Sequence, residues 1–158
     1  MLNNNLTLLH EYVRKIITEI SLGQSFGTIK YTALVLDDPK GLVSNLQMQG
    51  VEIPKDWDGL MKGLPHHMTI LPPTKQKYRY PERFLNQKGE AKVTGYAIND
   101  KVLAVTVVTD LPTKQGIPHI TIAKHPKASA RDSNELLATS KPIDLKSFTV
   151  SGVVREVV

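Results

Sequence analysis

The amino-acid sequence predicts a single α+β domain. Its 158 residues match the size of one ordinary domain. Short segments rich in β-forming residues, typical of strands, are interleaved with segments whose apolar residues recur at three- and four-residue spacing, typical of helices. No linker-like or low-complexity stretch divides the chain, so these elements should pack into one unit that spans residues 1–158.

The N-terminal half is predicted to contain two helices and two strands. Apolar residues recur at helical spacing over residues 5–21, which predicts an amphipathic helix. The β-rich run 29–36 predicts a strand, and the apolar residues within 42–48 predict a short helix that ends at Gly50. Residues 65–71 are short, apolar and bounded by prolines, which predicts a second strand.

The C-terminal half is predicted to contain four strands and one helix. The strands are expected at 92–98, 102–109, 117–123 and 147–158. The first two should form a hairpin around the turn Asn99-Asp100. A helix should run to about Thr139 from a cap at Asp132 or Ser133, because their side-chain oxygens can accept bonds from its free N–H groups.

The composition excludes several classes of site. The chain has no cysteine, which excludes thiol nucleophiles, cysteine-based zinc sites and iron–sulfur clusters and agrees with a reducing, cytoplasmic compartment. No apolar run approaches the roughly 18 residues that a membrane span needs, so no membrane partner is expected. The 20 Lys and Arg against 15 Asp and Glu give a net charge of +5, which suits an anionic partner such as a nucleotide or RNA.

One short sequence occurs twice in the chain. The tetrapeptide His-x-Thr-Ile begins at His67 and again at His119, and each copy lies close after a proline on a predicted strand. Because alternate side chains of a strand point to the same face, His67 and Thr69 should share one face, as should His119 and Thr121. If the two strands lie side by side, two imidazoles and two hydroxyls meet in one cleft.

This set of side chains suits the cleavage of a phosphodiester. The reaction needs one proton removed from the attacking oxygen and one delivered to the leaving oxygen, and histidine can do either near neutrality. The hydroxyls can donate to the non-bridging oxygens, where negative charge builds. The chemistry needs no cofactor, and no carboxylate near His66 and His67 completes a metal site. The pattern does not decide which histidine is the base.

The segments His67-Met68-Thr69-Ile70 and His119-Ile120-Thr121-Ile122 resemble the paired H-x-T/S-hydrophobic motifs of the two-histidine phosphoesterase superfamily. That superfamily includes RNA 2′,3′-cyclic phosphodiesterases, 2′-5′ RNA ligase-like proteins, the cyclic phosphodiesterase domains of tRNA ligases and phage cyclic-nucleotide phosphodiesterases. The resemblance implies that the two histidines are the acid/base pair and that the two threonines hold the phosphate.

The same resemblance implies an architecture. We expect two pseudo-symmetric lobes, each a small antiparallel sheet with outer helices, around a central cleft. Residues 27–158 would form this bilobal core, and residues 1–26 an N-terminal helical extension. Two other functions stay open, namely a non-catalytic RNA- or nucleotide-binding module and an RNA ligase-like reaction. The sequence does not choose between an RNA end and a cyclic signalling nucleotide, nor does it give the oligomeric state.

Further residues can contact such a substrate. The loop 74–86 combines cations with aromatic rings, which can hold phosphates while stacking on bases. Tyr31 lies on the first predicted strand and Lys124 follows the second motif, although a solvated role is the alternative for both. His66 should lie on the apolar face of its strand, as an imidazole that is packed or that contacts a site residue, and not as a catalytic group. The predicted substrate-binding residues are Tyr31, Lys75, Tyr78, Tyr80 and Lys124.

Overall fold

Six antiparallel strands close into a barrel in the computed structural model, which describes residues 31–71, 81–114 and 116–157. The strands are β1 (Tyr31–Leu36), β2 (His67–Leu71), β3 (Lys88–Ile98), β4 (Val102–Val108), β5 (His119–Lys124) and β6 (Ile143–Val157). Their order around the barrel is β1-β2-β5-β4-β3-β6, and β6 pairs in turn with β1. Each of these six strands therefore has a partner on both sides.

The expected α+β fold with two pseudo-symmetric lobes and a central cleft is wrong. The last strand closes the sheet, because β6 pairs with β1 through its C-terminal part and with β3 along most of its length. The two motif strands are direct neighbours in that closed sheet, since β2 pairs with β5 at Met68 and Ile120. Strand alternation is a local signal and does not specify which distant strands pair.

Two α-helices accompany the barrel in the described residues, α1 (Pro39–Met48) and α2 (Asp132–Thr139). Helix α1 is the helix predicted from the apolar residues at 42–48, and it begins three residues earlier. The side chain of Asp38 caps it by accepting a hydrogen bond of 3.0 Å from the backbone N–H of Gly41. Its end is marked by Gly50, whose φ of 88° favours glycine.

The strands that were expected from local pattern are confirmed, with shifted ends. The strands β3 and β6 each begin four residues before the predicted start. The hairpin between β3 and β4 is stabilised at its turn, where Asn99 Oδ1 accepts hydrogen bonds from the backbone N–H groups of Lys101 and Val102. The helix predicted at 5–21 lies outside the described residues.

One face of the strands forms the main hydrophobic core together with α1. Leu34, Met68, Ile120 and Val154 are completely buried in it. Helix α2 packs on the other face through a smaller apolar cluster with β3 and β4. Neither helix in the described residues is long and apolar enough to cross a membrane.

Candidate functional site

The two His-x-Thr motifs meet where β2 pairs with β5. The central pair is Met68 opposite Ile120, and both side chains are completely buried in the core. In an antiparallel pair, the residues on either side of such a pair project to the opposite face and lie next to each other across the strands. This register sets His67 beside Thr121, and Thr69 beside His119. The four motif side chains thus form a two-by-two cluster on one face, which we call the His–Thr cluster.

One ring nitrogen of His119 is engaged in a hydrogen bond to the backbone. Its Nδ1 lies 2.7 Å from the carbonyl oxygen of Ile117, and because a carbonyl only accepts, Nδ1 must carry the proton. Burial lowers the pKa of His119, partly opposed by this hydrogen bond. In the resulting neutral ring, Nε2 carries a free lone pair. Such a nitrogen can accept a proton, as a general base must.

His67 has a more strongly lowered pKa. Burial is the largest cause, and repulsion from His66 and from His119 adds to it, so that the pKa falls to about 4. The contribution from His119 agrees with the strand register, which sets both motif imidazoles in one cluster. A phosphate anion bound between them opposes all three effects and raises the pKa. His67 can therefore become an acid when a substrate is present.

The ring of His67 is fixed by two neighbours. Its Nδ1 lies 2.9 Å from Nδ1 of His66, so one of the two nitrogens donates to the other. The ring of Tyr31 stacks on it with 4.9 Å between centroids and 27° between planes. The expectation that His66 lies on the apolar face is wrong, since its side chain is exposed, whereas the alternative, an imidazole that contacts a site residue, agrees with its hydrogen bond to His67. His66 precedes β2, which begins at His67, so strand alternation does not apply to it.

Thr121 is bonded to a buried hydroxyl from α2. The oxygens Thr121 Oγ1 and Ser133 Oγ are 2.8 Å apart, and Ser133 is completely buried. The expectation that Asp132 or Ser133 caps the helix is wrong, because no side chain caps α2 and the hydroxyl of Ser133 bonds to Thr121 instead. If Ser133 donates, the proton of Thr121 is free to point at a ligand. Thr69 is half-buried, and its hydroxyl makes no hydrogen bond within the described part of the chain.

No protein-family model matches the chain, and no curated protein matches it significantly. Function is therefore inferred from the His–Thr cluster and its surroundings. Among the residues that the structure describes, no three His, Cys, Asp or Glu side chains gather in a way that could hold a metal ion.

The predicted substrate-binding residues fall into three groups. Tyr31 belongs to the site, because its ring covers His67, and burial raises the pKa of its phenol. Lys124 is engaged elsewhere, since its Nζ lies 3.1 Å from a carboxylate oxygen of Asp58, and the two backbones also form a β-bridge. Its contact with substrate stays a prediction. The others, Lys75, Tyr78 and Tyr80, lie outside the described residues.

Proposed function

We propose that the protein is a metal-independent phosphodiesterase that opens a 2′,3′-cyclic phosphate or cleaves another nucleotide phosphodiester. The observation that supports this most is the register between β2 and β5, which sets each motif histidine beside the threonine of the other motif. A phosphoryl group over this cluster meets two imidazoles and two hydroxyls at once. We also place the protein in the cytoplasm, where nucleotides and RNA are found.

In the proposed reaction, His119 is the base. Its bare Nε2 takes a proton from a water molecule, whose oxygen attacks phosphorus and forms a new P–O bond. The bond from phosphorus to the leaving ribose oxygen breaks, and protonated His67 delivers a proton to that oxygen. The hydroxyls of Thr69 and Thr121 donate to the non-bridging oxygens as their charge increases. The product is a phosphate monoester, and the two histidines have exchanged protonation states.

The substrate class is tested with a small panel in the presence of EDTA. The panel contains a 2′,3′-cyclic mononucleotide, an RNA oligonucleotide that ends in a 2′,3′-cyclic phosphate, and a cyclic dinucleotide. We expect turnover of at least one of them, unaffected by EDTA and at least about 100-fold slower in His119→Asn. His125→Asn is the matched control and should keep full activity. Activity that EDTA removes, or binding of these ligands without turnover, would contradict the proposal, and the second result would indicate a binding module.

Thr121 and Ser133 should act as one unit. We expect Thr121→Val to lower kcat by about 100-fold, the loss typical of one donor to a developing oxyanion. Ser133→Ala leaves the hydroxyl of Thr121 in place but no longer fixes its orientation. We therefore expect a smaller loss of kcat, about tenfold, with KM nearly unchanged. Because both variants affect the same hydrogen bond, the double variant should lose little more than Thr121→Val alone.

The controls for this pair follow from the buried position of Ser133. The replacement of Ser133 by alanine removes a buried hydrogen bond, which costs about 1 kcal/mol of stability. Kinetics should therefore be measured well below the melting temperature. Ser133→Thr keeps the hydroxyl and should restore much of kcat. A fully additive double variant would show that Ser133 acts independently of Thr121.

A further inference from the structure

The face that carries the His–Thr cluster continues across β1 onto β6, where it carries Arg155. Ala33 of β1 pairs with Thr69 on one side and with Arg155 on the other. The next pair along these strands, Leu34 with Val154, is completely buried in the core. Since side chains alternate between the two faces of a sheet, Ala33 and Arg155 lie on the opposite face, the face of the His–Thr cluster.

These residues form one row across the sheet. It runs from Arg155 through Ala33 and Thr69 to His119, which pairs in turn with Thr106 of β4. Neighbouring strands are about 4.8 Å apart, so the backbone of Arg155 lies about 10 Å from that of Thr69. The side chain of Ala33 is one methyl group and is completely buried, and the ring of Tyr31, on the same face of β1, stacks on His67, so this part of the row is covered.

No group among the residues that the structure describes neutralises the charge of Arg155. Its side chain is exposed, and it forms no ion pair or hydrogen bond with the residues that the structure describes. Glu156 follows it on β6, and strand alternation directs that carboxylate to the other face. A guanidinium group presents parallel N–H donors that match two oxygens of a phosphate. An unpaired arginine in this row is therefore a site for an anion.

We propose that Arg155 binds a second phosphate group of the substrate, next to the one held over the His–Thr cluster. This rests on the proposed function and narrows it. Arg155 lies two strand spacings from Thr69, and the imidazoles and hydroxyls of the cluster already surround the reacting phosphate. Arg155 therefore contacts a different phosphate group. The substrate then carries at least two phosphates, as a linear or cyclic oligonucleotide does and as a cyclic mononucleotide with a single phosphate does not.

The test compares two substrates that differ by one nucleotide and therefore by one phosphate. They are 2′,3′-cyclic AMP and the dinucleotide ApA that ends in a 2′,3′-cyclic phosphate. We expect Arg155→Gln to raise KM for the dinucleotide about tenfold or more, the usual range for a charged hydrogen bond, and to change KM for the mononucleotide less than twofold. Lys92→Gln is the matched control, because Lys92 is an exposed cation on β3 that pairs with Thr149, six residues from Arg155 along β6. It should change neither KM.

An equal rise in KM for both substrates would place Arg155 on the reacting phosphate and overturn the inference. No change in KM for either substrate would also overturn it.

A binding experiment separates this inference from the proposed function. If the wild-type protein hydrolyses neither substrate, the proposed function fails. Equilibrium binding of the deoxydinucleotides d(ApA) and d(pApA) then decides the role of Arg155. Arg155→Gln should weaken the binding of d(pApA) about tenfold and leave the binding of d(ApA) unchanged. It should also reduce the slope of the affinity for d(pApA) against salt concentration by about one phosphate contact. Unchanged affinity for d(pApA) would overturn the inference.

Discussion

His119→Asn should lower kcat/KM for a cyclic phosphate substrate by about 100- to 10,000-fold, the loss expected for a general base. The asparagine amide takes roughly the place of Nδ1 and can still donate to the carbonyl oxygen of Ile117. The second ring nitrogen, which faces the substrate in the proposed reaction, has no counterpart in asparagine. The variant therefore keeps the internal hydrogen bond and loses only the proton acceptor. Steady-state kinetics on the wild-type protein and the variant measure the effect.

The control for this variant is His125→Asn. His125 packs edge-to-face against Trp57, and its Nδ1 accepts a hydrogen bond from the backbone N–H of Lys127. Like His119, it therefore has one ring nitrogen engaged in a hydrogen bond to the backbone. It lies outside the His–Thr cluster, and its replacement should change kcat/KM less than twofold. Both variants should keep the thermal unfolding transition of the wild-type protein within a few degrees. A His119→Asn protein with near-wild-type kcat/KM would exclude His119 as the base.

Local sequence signals predicted most of the elements but not their assembly. Strands such as β2 and β5 are short apolar runs beside prolines, and the turn at Asn99 is a strong hairpin signal, so each could be found from a few residues. The closure of the barrel depends on β6, whose paired residues on β1 and β3 are more than 45 residues away in sequence. No local pattern carries that pairing, and the expected two lobes came from the resemblance alone.

The same distinction holds within the site. Strand alternation alone predicted that each histidine shares a face with its threonine, and the register of Met68 with Ile120 then brings the two copies together. The partner of Thr121 could not be predicted, because Ser133 belongs to a helix and its hydroxyl has an equally good local use as a cap. The row that includes Arg155 depends on two successive strand registers, which only the fold supplies.

His67→Gln should remove turnover while making the protein more stable in acid. As the proposed acid, His67 supplies about 100- to 10,000-fold in rate, and glutamine cannot deliver a proton at neutral pH. The stability effect follows from the lowered pKa of His67, about 4 in the folded protein against about 6.5 in an unfolded chain. Between these values the unfolded chain binds a proton that the folded protein does not, so the free energy of unfolding falls as pH decreases.

The variant lacks this titration, so its free energy of unfolding should fall less between pH 7.5 and pH 4. Relative to the wild-type protein, the free energy of unfolding of the variant should rise by up to about 3 kcal/mol over this range. The two histidines whose repulsion helps to lower the pKa of His67, His66 and His119, stay in place in the variant. Urea denaturation at several pH values measures the difference, with His125→Gln as the control. Parallel pH dependences for His67→Gln and the wild-type protein would mean that His67 titrates normally and is not held neutral by burial and its two histidine neighbours.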